Sequence, residues 1–151
     1  DFLHEVLANT AVQDKSAREA LQTFAGGKGD VLLAYENEAI TAQQKGEDID
    51  YVVPEETILI ENPAAVLEDS GDKAQAFRDF LLTEEAQRIY QEKGYRPVLK
   101  QLANESEFPT PPALFEIDKF GGWDKVRSEF FDPEEGSVAK IEEDLGVSTE
   151  G

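Results

Sequence analysis

Four consecutive apolar residues, Val31-Leu32-Leu33-Ala34, lie between Gly29-Asp30 and Tyr35-Glu36-Asn37-Glu38. Apolar throughout and bounded by glycine on one side and charge on the other, the run predicts a short buried strand over Asp30 to Tyr35. Such a strand needs neighbours in a sheet and helices packed against it. A chain that also carries amphipathic helical spacing is therefore held to a mixed α/β class.

The helical segments are readable from their ends. Phe2, Leu3, Val6 and Leu7 repeat with helical spacing, so residues 2 to 9 read as the end of an amphipathic helix. Ser16-Ala17-Arg18-Glu19 has the form of a capping box, and the helix it opens is predicted to stop near Gly26 and Gly27. A further helix follows the strand to about Lys45. Asp50 to Val53 and Thr57 to Leu67 read as extended, and Pro54 and Pro63 make them edge strands or connecting segments. Helices are predicted from Lys73 to Leu82 and from Glu84 to Lys93, the second capped by Thr83 and closed by Gly94. Phe120-Gly121-Gly122-Trp123 leads into a helix ending near Phe131. Asp132-Pro133-Glu134-Glu135 predicts a last helix with Asp132 as N-cap and Pro133 in its first position. From Glu129 to Gly151 there are eight acids against one base, Lys140, and this tail is expected to fray. The chain opens at Asp1 without a basic-then-apolar leader, and that start reads as a trimmed edge.

Charge and composition exclude several function classes. A formal charge of −19 opposes binding to a phosphate backbone, so no nucleic-acid partner is expected. With no cysteine and one histidine, His4, neither a thiol nucleophile nor a zinc site is expected, and no cofactor is called for. His4 reads as a surface residue, and Ser16 has no readable base partner, so no enzyme is expected. Gly26-Gly27-Lys28-Gly29 precedes a strand instead of following one and lacks the spacing of a phosphate loop, so it reads as a turn. The start of the helix at Ser16 carries unpaired amides and a partial positive charge, which suit either ordinary capping or a sulfate-like anion. Tyr35, at the end of the predicted strand, stands where open α/β sheets hold ligands, and core packing is the alternative.

Gly29-Asp30-Val31-Leu32-Leu33-Ala34-Tyr35-Glu36-Asn37-Glu38-Ala39 resembles the G-D-V-L-I-A-W-E-N-E-A signature of the periplasmic sulfate/thiosulfate-binding proteins of ABC importers. Gly94-Tyr95-Arg96-Pro97 is similar to that family's Y-R-P turn. Leu114-Phe115-Glu116-Ile117 with Phe120-Gly121-Gly122-Trp123 is similar to its L-F-x-I…F-G-G-W ending. The resemblance implies a periplasmic-binding-protein-like α/β fold, a mixed sheet with flanking helices, in which an oxyanion is enclosed between two lobes by neutral donors. It implies that this chain holds parts of both: residues 1–50 the end of the second lobe, 51–67 the interlobe crossover, and 68–151 the closing helices of the first. The ligand-binding residues it implies are Ser16, Ala17 (through its backbone N–H), Arg18 and Tyr35, the last in the place of an indole-bearing Trp. Where the family reads S-G-A-R-G-S-T-N-T-F, this chain has Lys15-Ser16-Ala17-Arg18-Glu19-Ala20-Leu21-Gln22-Thr23-Phe24, which brings a carboxylate beside the helix start.

The implied function is capture of sulfate or thiosulfate in the periplasm or outside the cell and delivery to an ABC permease in the membrane. An acidic, non-catalytic interaction domain that kept the fold and lost the ligand is the other reading. Apolar faces left by an incomplete receptor predict a possible homodimer of the chain.

Overall fold

The computed structural model describes residues 2–104 and 106–147. In chain order its elements are α1 (Phe2–Ala8), α2 (Ala17–Ala25), α3 (Glu36–Gln44), β1 (Glu56–Ile58), α4 (Gly71–Leu81), α5 (Glu84–Glu92), β2 (Ala113–Phe115), α6 (Trp123–Phe130) and α7 (Ser137–Asp144). Single 3-10 turns occupy Lys100–Leu102 and Ile117–Phe120. Helices dominate, and β1 and β2 pair as a two-stranded parallel sheet, in keeping with the mixed α/β class read from sequence. The chain divides into two compact units: residues up to Leu33 with those from Phe115 onward, and Ala34–Leu114.

In the first unit α2 turns Ala17, Ala20, Leu21 and Phe24 to one side, a spacing of three and four residues, and Leu21 is buried. The Ser16 hydroxyl accepts the Glu19 N–H at 3.2 Å, as the capping pattern predicts. Thr23 donates its hydroxyl to the Asp14 carboxylate at 3.1 Å, which ties the entry loop to the body of the helix. The helix closes in a glycine turn, with Gly27 and Gly29 both at positive φ. Later in the unit α6 packs on α7, α7 on α1, and the Phe115 and Phe120 rings meet edge to face at 5.6 Å.

In the second unit α4 and α5 form a helical pair joined by Thr83, whose hydroxyl accepts the Ala86 N–H at 3.3 Å. Ala86 and Gln87 are buried on the inner face of α5. Gln87 donates to the Leu81 carbonyl and accepts from the Val98 N–H, both at 2.8 Å, so one buried amide joins the end of α4 to the segment after α5. The remaining core side chains are Ala39, Ala42, Leu102 and Phe108.

Three expectations are corrected. Asp30 to Tyr35 is not a buried strand: it has no ladder assignment, and Val31 and Leu33 are 80% and 83% exposed. An apolar run becomes a strand only against a hydrogen-bonding neighbour, and none is present among the described residues. Asp50 to Val53 and most of Thr57 to Leu67 run as connecting segments, one of the two forms read for them, and only Glu56–Ile58 forms a strand. Asp132 caps a turn, not a helix: its carboxylate accepts the N–H groups of Glu134 and Glu135 at 3.0 and 2.8 Å. The chain then breaks at Gly136 (ψ 144°) before α7 starts at Ser137. The acidic tail does not fray after Glu129, because α7 continues to Asp144 with turns to Val147; residues 148–151 lie outside the described residues.

Candidate functional site

The site residues read from sequence fall in both units. Ser16, Ala17 and Arg18 stand together at the mouth of α2 in the first, and Tyr35 leads into α3 in the second.

At the mouth of α2, the Ser16 carbonyl accepts the Ala20 N–H at 2.9 Å, and its hydroxyl holds the amide of Glu19. Ser16 uses its oxygen as an acceptor there, so its O–H proton remains a donor. The Ala17 N–H makes no hydrogen bond among the described residues, and Ala17 itself is half-buried. A half-sheltered amide at the positive end of a nine-residue helix is a donor for an oxyanion. Arg18 is exposed, and Glu19 in the same turn sets a carboxylate against an incoming anion.

Tyr35 is the N-cap of α3, with φ −77° and ψ 145°, and its carbonyl accepts the Glu38 N–H at 3.1 Å. Its side chain is 53% exposed and makes no hydrogen bond among the described residues. The phenol is therefore a donor open to solvent, standing just before a helix instead of at the end of a covered strand.

The strongest polar cluster lies immediately after Tyr35. Arg96 grips the Glu36 carboxylate with both arms of its guanidinium, Nε to Oε2 at 2.7 Å and Nη2 to Oε1 at 2.9 Å. Its Nη1 donates to the carbonyls of Phe108 and Pro109 at 3.2 and 3.0 Å, and the guanidinium sits 5.6 Å from the Phe108 ring centre. Tyr51 lies close enough for its phenol to be held above its usual range, first by burial and then by the Glu36 charge, with Arg96 opposing. Gly94, at φ +82°, packs so tightly on α3 that an added Cβ would stand 3.1 Å from two Ile40 carbons and 3.3 Å from the Asn37 Cα. Sequence reasoning missed Glu36, Tyr51, Gly94 and Arg96 as a set. Their signal was the pair of motifs around Glu36 and Arg96, 60 residues apart and with no local pattern linking them.

Among the described residues no group of three or more His, Asp or Glu is placed to hold a metal ion, and no helix is long and apolar enough to cross a membrane.

The family model described as bacterial extracellular solute-binding protein matches residues 1–96, a stretch that includes the mouth of α2, Tyr35 and Arg96. The chain belongs to that family. Within the family it is similar to a sulfate-binding protein of Synechocystis sp., 42% identical over 148 residues, covering 91% of this chain and 42% of the relative. It is also similar to sulfate-binding proteins of Synechococcus elongatus (40% identical; 86% of this chain, 40% of the relative) and Escherichia coli (39% identical; 87% and 43%). The chain thus spans about two fifths of the length of these relatives. No solved structure matches it at a significant level.

Proposed function

We propose that this chain is part of the extracytoplasmic solute-binding component of an ABC importer and contributes donors to a sulfate site without catalysing a reaction. The observation that carries the reading is the Ala17 amide outside the ladder of α2 beside the Ser16 hydroxyl, in a chain whose relatives are named sulfate-binding proteins. Sulfate is fully ionised at neutral pH and only accepts hydrogen bonds. Neutral amides and hydroxyls suit it, each charge-assisted bond contributing about 1.5–3 kcal/mol. On this reading Ser16, Ala17 and Arg18 act from the second lobe and the Tyr35 phenol takes the role of an indole N–H. The lobe assignments 1–50, 51–67 and 68–151 belong to the same proposal, as do the membrane permease as partner and a homodimer of the isolated chain. Glu19 in the first turn of α2 favours the competing reading, an interaction domain that has lost its anion.

The test is thermal unfolding of this chain and of the full gene product that contains it, with sulfate, thiosulfate, molybdate, phosphate or chloride at matched ionic strength. Ligand at about a thousand times its dissociation constant adds roughly 4 kcal/mol to the stability of whatever binds it. A sulfate-specific shift in the full gene product supports the receptor, and a shift in neither protein with any anion moves the interaction domain to first place.

A further inference from the structure

We propose that Arg96 is a positioning residue for the anion site, holding the first turn of α3 so that the Tyr35 phenol is presented to the ligand; this rests on the reading that Tyr35 donates to the anion. Tyr35 is fixed to that turn through its carbonyl, which accepts the Glu38 N–H, and Glu36 is the next residue. The turn has no side-chain cap of its own. It is held instead from outside: the Arg96 fork takes both Glu36 oxygens, and Gly94 lets the backbone of the 94–97 turn approach Asn37 and Ile40 without a Cβ between them.

The pair is partly desolvated, with the Glu36 side chain 18% and the Arg96 side chain 34% exposed, so the fork is screened less than a surface pair. Arg96 also answers an electrostatic problem. Glu36 adjoins the donor, and an unpaired carboxylate there would repel an oxyanion; the guanidinium neutralises it while its third arm is anchored on the carbonyls of Phe108 and Pro109. Lysine keeps that charge but not the planar fork. Arg96→Lys therefore separates geometry from charge.

The experiment is a double-mutant cycle on sulfate affinity in the full gene product, read by calorimetry, with thermal unfolding of each variant alongside. Tyr35→Phe comes first and is expected to weaken binding about tenfold. Arg96→Lys is expected to weaken binding about three- to tenfold in the parent and to change nothing further in the Tyr35→Phe background, because both losses run through one phenol. Equal losses from Arg96→Lys in both backgrounds, or no loss in the parent, would overturn the positioning role. If Tyr35→Phe leaves affinity unchanged, the assignment of Tyr35 to the site fails and this proposal with it. That outcome is distinguishable because it is read without touching Arg96. Should Arg96→Lys not fold, Glu36→Asp keeps the charge but shortens the carboxylate's reach to the fork and is judged by the same criterion.

Discussion

Replacing Gly94 by alanine separates two costs that glycine avoids at one position. Its φ of +82° lies in the left-handed region, where a residue with a Cβ loses about 1–2 kcal/mol. The added methyl would also meet Ile40 Cβ and Cγ2 at 3.1 Å and Asn37 Cα at 3.3 Å, contacts on a helix that cannot swing aside, and overpacking of that kind costs about 1–3 kcal/mol. The sum is roughly 2–5 kcal/mol. Gly46 supplies the control: its φ is +88° but an added Cβ meets nothing within 4 Å, so Gly46→Ala should cost only the conformational part, about 1–2 kcal/mol. Urea unfolding followed by circular dichroism gives both values, provided the slope with denaturant is unchanged. Equal losses for the two substitutions would refute the claim that the 94–97 turn is seated against α3.

Gln87→Met keeps volume but strands the Leu81 carbonyl and the Val98 N–H, and should cost about 2–4 kcal/mol in the same unfolding experiment. Tyr51 has its folded pKa raised by burial and by Glu36, so its contribution to stability is complete below the ordinary phenol value and is lost as pH rises through the higher folded one. Ultraviolet titration should show a late-ionising phase, and Tyr51→Phe should remove it. Asp132 is the opposite case: two backbone N–H groups hold its carboxyl below the usual range, so its contribution is present above the unfolded value and disappears as pH falls through the folded one. Asp132→Asn should flatten the acid limb of stability against pH, and an unchanged limb would remove the turn from the account.

How much of this was legible in the sequence depends on the range of the interaction concerned. The helices at α2 and α5 were readable because a cap such as Ser16 or Thr83 acts on an amide three residues away. Asp30 to Tyr35 misled because burial and pairing come from elsewhere in a fold, and four apolar residues carry no information about whether a neighbour is present. Asp132 was recognised as a capping residue, but its carboxylate serves a turn. The chain leaves the helical region at Gly136, whose ψ is 144°, and α7 starts only after it. At the candidate site, the helix start and Tyr35 were visible as motifs. The Arg96–Glu36 fork was not, since 33 acids offer an arginine too many partners for sequence to choose among.

The uncovered run from Val31 to Tyr35 makes the chain's charge a colloidal safeguard. Exposed apolar backbone without a strand partner is a template on which identical chains can stack. Here the template is carried by molecules of formal charge −19, which keep one another at a distance while the ionic atmosphere is thin. Salt shortens that reach from about 10 Å at 0.1 M to about 3 Å at 1 M. The shelf life of a solution of this chain is therefore set by its buffer as much as by its fold.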